Sequence, residues 1–117
     1  MEYLNLIKNN LKIDGNKLKD IEKDIEHVNS VLVKYNINFE DHFAISFWNH
    51  IISFIDRAKN NEFVDVLGED MVSELSEDAI KIAIELFSDI FTRYGREQNL
   101  SEIYLVSIHI QVAKQNL

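Results

Sequence analysis

Cysteine and proline do not occur in this chain, and among its 117 residues glycine stands only at 15, 68 and 95. The missing cysteine excludes a disulfide framework and a thiol nucleophile, and since nothing requires an oxidising compartment, a reducing cytoplasm fits. With so little proline and glycine, few points punctuate the chain. Long hydrophobic runs are missing too. The most apolar stretch, residues 43–55, is interrupted by Ser46, Asn49, His50 and Ser53, and falls short of the roughly 20 apolar residues that span a bilayer. The start, Met1-Glu2-Tyr3-Leu4-Asn5, lacks the basic region and small-residue cleavage site of a signal peptide. A soluble, unprocessed chain without membrane insertion is expected.

Enzymatic signatures are equally scarce. There is no Gly-rich phosphate loop, no HExxH and no Gly-x-Ser-x-Gly elbow. The histidines, at 27, 42, 50 and 109, include no pair at the i, i+4 spacing of a helical metal site. The chain is therefore read as a non-enzyme, with no cofactor and no metal. Positive charge is in short supply as well: the net charge is −8, and residues 61–117 carry 4 basic against 11 acidic groups. Phosphate backbones are bound through Lys and Arg that displace counterions, so direct nucleic-acid binding is not expected. Any effect on transcription would pass through a partner. The acidic surplus suits either a solubilising surface or an acidic docking face.

What the chain does have is helical periodicity. Leu18, Ile21, Ile25, Val28, Leu32 and Tyr35 recur at spacings of three and four, which predicts one amphipathic helix with charged residues filling the gaps. Upstream, the turn signal Asp14-Gly15-Asn16 closes a short leading helix from Tyr3 to Leu11. Asn38 reads as the N-cap of a core helix over residues 39–59, with Glu40 and Asp41 in its first turn. Phe43, Phe47, Trp48, Ile51, Ile52 and Ile55 form its apolar stripe, and Asn60 and Asn61 end it. The apolar run from Phe63 to Leu67 before Gly68 fits a turn or a helical fragment. Ser76-Glu77-Asp78 starts another helix, which runs to Gly95 at a C′ position.

Asn99 and Glu102 have capping-box spacing ahead of the apolar run at 103–113. That run is rich in β-branched residues and could be read as a strand, but its length and cap favour a helix. The fold class is therefore all-α: a compact bundle of four to five helices, one domain over residues 1–117, with 1–15 as a short leading helix or extension.

Two histidines sit in apolar helices. His50 and Arg57 are seven residues apart, hence on nearly one face, with Ser46 and Ser53 beside them. A neutral imidazole is a nucleophile near pH 7, and a phosphoryl group on it would bring charge that Arg57 could pair with. The same residues also fit a partly buried, hydrogen-bonded histidine and an arginine paired with a surface carboxylate. His109 lies among Leu105, Val106, Ile108, Ile110, Val112 and Ala113, with Glu102 seven positions earlier; such surroundings discourage its charged form. It reads either as a core histidine or as a second acceptor. His42 looks like a first-turn surface residue, and His27 lies off its helix's apolar seam.

The segment 49–57, Asn-His-Ile-Ile-Ser-Phe-Ile-Asp-Arg, resembles the first histidine motif of the phosphotransferase-system regulation domain (PRD) family. The segment 100–110, Leu-Ser-Glu-Ile-Tyr-Leu-Val-Ser-Ile-His-Ile, resembles the second. The motifs come in the family's order, with a helical stretch of similar length between them. The resemblance, over roughly residues 16–117, implies a PRD-like helical bundle that forms a homodimer. It also implies phosphorylation of His50 and His109, with Arg57, Asn49 and Glu102 in support. The implied donors are the histidine-containing phosphocarrier protein or a sugar permease component, in regulation of bacterial sugar or metabolite uptake as antiterminators and activators practise it. Asn49 stands where the family has Asp, and Ser101 replaces an acidic residue. With one such domain and no RNA- or DNA-binding module, the chain would be a stand-alone member acting through a downstream regulator.

Overall fold

Apolar residues three and four apart give most of the helices one face to bury, while the last is apolar on more than one side, and in the computed structural model the inward faces meet in one core. The structure describes residue 7 and residues 14–63 and 75–115. In order, the helices are α1 (Gly15–Asp20), α2 (Glu22–Lys34), α3 (Asp41–Asn60), α4 (Glu77–Arg93) and α5 (Leu100–Gln115). The fold is all-α, as expected. The leading helix predicted from Tyr3 to Leu11 lies outside the described residues except for Ile7, which is buried, and the run at 64–68 also lies outside them.

The single helix predicted through Leu18 and Tyr35 is bent. Ile21, at φ −106° and ψ 11°, separates α1 from α2, although its N–H still reaches the Lys17 carbonyl at 3.2 Å. Ile21 is fully buried, so the bend lets both short segments turn apolar residues inward. Asp24, read as one of the gap-filling surface charges, is instead 1% exposed. It accepts hydrogen bonds from Arg93 and from the Tyr94 hydroxyl, tying α2 to α4. Burial, followed by the hydrogen bond to Asp24, pushes the Tyr94 phenol up, so it stays a donor.

Helix ends follow local chemistry. Asn38 is not a cap: α3 begins at Asp41 with Glu40 as N-cap and no side-chain hydrogen bond. Ser76 does cap α4, its hydroxyl accepting from Ala79 N at 3.1 Å. Asn99 caps α5, its Oδ1 accepting from Glu102 N at 3.0 Å. Gly95 is left-handed at φ +67°. There Arg96 N donates to Phe91 O and Gly95 N to Thr92 O, the paired bonds of a Schellman ending. Asn61 and Asn36, at φ 56° and 54°, end α3 and α2 the same way. Asn99→Ala should lower stability by about 1 kcal/mol, the usual value of such a cap; an unchanged urea midpoint would show that the cap contributes nothing.

The core is built around α3 and α4. Phe54 stacks on Phe87 with centroids 3.7 Å apart and an interplanar angle of 7°, and Phe91 meets Phe54 edge-on. Trp48, 3% exposed, lies edge-on to Phe47 at 5.3 Å. Helix α5 packs against α4 and α3. The loop after α4 fixes the end of α3: Arg96 donates to the Ala58 and Lys59 carbonyls at 2.8 and 2.9 Å. A cation at a helix C-terminus satisfies carbonyls that have no partner within the helix. No helix among the described residues is long and apolar enough to cross a membrane.

Candidate functional site

Seven residues are close to two helical turns, so His50 and Arg57 form a row on α3, and Glu102 and His109 form a matching row on α5. The structure lays these rows against each other in opposite directions. The His50 and His109 rings meet with centroids 5.1 Å apart, tilted by 48°. Two turns away, Arg57 Nε and Nη2 donate to both carboxylate oxygens of Glu102 at 2.7 and 2.8 Å. The two helices are therefore antiparallel, with one histidine pair and one ion pair in the same seam. Of the five predicted site residues, four come together in this way. Asn49 is exposed, one position away from the seam.

The partners differ from those expected. Arg57 pairs not with a surface carboxylate but with Glu102, which is fully buried, while Arg57 itself is 22% exposed. A forked pairing of this kind has both geometric specificity and strength. Nor is His50 a fully hydrogen-bonded histidine, because its Nε2 is buried and meets no hydrogen-bond partner among the described residues. Burial chiefly, then the neighbouring His109 and Arg57, pushes His50 down to about 4. Burial also lowers His109. Both rings are therefore neutral at pH 7, which leaves each with a nitrogen lone pair.

Of the pair, His109 is the one that opens onto a cleft, between the start of α3 and α5. His109 lines an apolar cleft of about 210 Å³ together with Phe39, Phe43, Ser46, Ile108 and Val112, and Phe47 approaches its ring edge-on at 6.1 Å. Chemically this is a seam with two unprotonated nucleophilic nitrogens, one cation held by a buried anion, and a small opening to solvent. The other histidines stand elsewhere: Nε2 of His27 lies 3.0 Å from the Glu85 carbonyl oxygen, and exposed His42 lies against Phe43. No group of three or more His, Cys, Asp or Glu among the described residues could hold a metal ion. Sequence reading overlooked the buried Asp24–Arg93–Tyr94 cluster, because an aspartate in a charged, amphipathic helix carries no mark of burial.

A family model described as PRD domain matches residues 25–113, which include both rows of the seam. No curated protein matches the chain. Among solved structures, a PRD-containing transcription regulator from Lactobacillus casei ATCC 334 superposes with a TM-score of 0.74 at 19% identity. The match covers 97% of this chain and 96% of that one. At that identity the likeness is one of fold.

Proposed function

Because the chain belongs to the PRD domain family, we propose that it is a regulatory module switched by phosphorylation of His50 and His109. The donors are the histidine-containing phosphocarrier protein or a sugar permease component, in the cytoplasm of a bacterium, and the process regulated is sugar or metabolite uptake. The module is not an enzyme and does not touch nucleic acid itself. It acts through homodimer packing or on a downstream regulator.

One observation carries this reading: two histidines 59 positions apart in the sequence meet as neutral rings on one helix–helix seam. A phosphohistidine adds close to two negative charges. In the seam that charge enters the contact between α3 and α5 directly, two helical turns from the Arg57–Glu102 pair. Packed helices have discrete arrangements that a local charge can bias. Homodimerisation is supported by apolar surface on α5, where Leu100 is 56% exposed and Leu105, Ile108 and Val112 are half-buried.

The test is incubation with phosphoenolpyruvate, the general phosphotransferase enzyme and the phosphocarrier protein, followed by intact-mass analysis that preserves phosphohistidine. A phosphoryl gain that disappears in the His50→Gln/His109→Gln double variant is expected, with a change in sedimentation between the two forms. No gain, beside a labelled PRD control, would remove phosphorylation from the function. A second reading would then stand, a helical dimerisation scaffold. It is favoured by the exposure of Asn49 and by the engagement of Arg57 with Glu102.

A further inference from the structure

We propose that Ser46 is a phosphoryl-binding residue of this module, its hydroxyl donating a hydrogen bond to the oxygens of a phosphoryl group on His109. This rests on the proposed function and names the side chain that receives the transferred group.

Ser46 stands one helical turn before His50 on α3 and lines the same cleft as His109 on α5. The other walls are Phe39, Phe43, Ile108 and Val112. None of those side chains carries a hydrogen-bond donor, so apart from the histidine itself Ser46 alone among the lining residues has a side-chain proton to offer. That hydroxyl is also uncommitted. A helical serine often turns its hydroxyl back onto a carbonyl of the preceding turn, and Ser30, Ser88 and Ser107 do so at 2.7, 2.6 and 2.7 Å. Ser46 makes no such bond among the described residues and is exposed. Nor does His109 hydrogen-bond to any described residue, and unlike Nε2 of His50 its nitrogens are not sealed from solvent.

A phosphoryl group on His109 brings close to two negative charges and three acceptor oxygens into a cleft of about 210 Å³, several times the roughly 30 Å³ that a water takes up. Charge beside apolar walls is costly unless hydrogen-bond donors meet it. Arg57, the cation of the seam, lies two turns from His50 and is held by Glu102. Ser46 is therefore the donor that the cleft supplies, and its hydroxyl can rotate to follow the oxygens. In the transfer one N–P bond forms on His109 as one breaks on the phosphohistidine of the donor. The proton on the second nitrogen of His109 passes to the departing donor imidazole, and Ser46 keeps its own.

The full chain is to be labelled by two routes, the phosphocarrier system and phosphoramidate, a small donor that needs no protein contact. Fragmentation mass spectrometry under alkaline conditions then reads each histidine separately. By both routes Ser46→Ala should label His109 about tenfold more slowly than wild type, near the low end for a hydrogen bond to a charged group, with His50 changed less. Ser46→Thr keeps the hydroxyl and should restore the rate. Ser53→Ala, which removes the other serine beside His50 but none of the cleft's lining, should behave as wild type, and the urea midpoint of Ser46→Ala should not move. Equal labelling of His109 in Ser46→Ala and wild type would overturn the inference and leave phosphorylation itself standing. So would equal slowing in the alanine and threonine variants, a lowered urea midpoint in Ser46→Ala, or label on His50 alone. Label from phosphoramidate but none from the carrier, beside a labelled PRD control, would overturn the proposed donor and leave the chemical route to decide on Ser46. No label by either route on any form would overturn both.

Discussion

Arg57→Met is expected to lower the unfolding free energy by about 3 kcal/mol, the lower end of what breaking a buried ion pair from one side costs. The reason lies in who is buried. Glu102 is fully covered and Arg57 is 22% exposed, so removing the arginine takes the countercharge from a carboxylate held in the core, whereas removing the carboxylate leaves a guanidinium able to reach water. Glu102→Gln should therefore cost less, about 1–2 kcal/mol, the scale of losing charge-assisted hydrogen bonds. The double variant Arg57→Met/Glu102→Leu should recover much of the loss, since well-packed apolar replacements of buried pairs are often close to neutral. Urea unfolding at pH 7 checks all three. If Glu102→Gln proved as damaging as Arg57→Met, the explanation by unequal burial would be wrong.

The histidine seam should make folding sensitive to mild acid. His50 is held down to about 4 against about 6.5 in an unfolded chain. A base whose pKa is lower when folded takes up protons more readily when unfolded. Its contribution is therefore complete above pH 6.5 and drains away as pH falls toward 4. The gap corresponds to about 3 kcal/mol in full, of which about 2 kcal/mol is gone by pH 5. His109 is lowered by burial too and acts in the same direction. Gln in place of His50 has no charge to acquire, so His50→Gln should flatten the stability profile between pH 7 and 5 relative to wild type. Parallel curves for the two proteins would mean that His50 titrates normally in the fold.

Both predictions depend on contacts of very different legibility in the sequence. Helix ends were readable wherever a side chain acts on its own neighbours, as at Ser76, Gly95 and Asn99. The same rule misplaced the start of α3, because Asn38 stands two residues too early and Glu40 takes the cap position without a side-chain bond. The left-handed Asn36 went unread, lacking the glycine that usually marks such a position. At the site, the two seven-residue spacings were visible, and each correctly predicted a shared face. What they could not give was the antiparallel docking that sets Arg57 against Glu102 rather than free for a ligand. That register is decided by side chains 45 positions apart in the chain. The family resemblance singled out His50 and His109 as a pair of sites, but their meeting at 5.1 Å depends on the same docking and was not read from the sequence. Their depressed basicity follows from burial, which a one-dimensional pattern suggested for His109 and left open for His50.

Trp48 is the chain's one tryptophan, and it is seated a single aromatic ring away from this seam: its indole meets Phe47, and Phe47 meets His109. Tryptophan fluorescence of the unlabelled protein therefore originates at one place, on α3 next to the histidine pair. Unfolding, acidification and any repacking of α3 against α5 can thus be followed by the emission of a reporter that the protein already carries, with no dye or added probe to disturb the contact being watched.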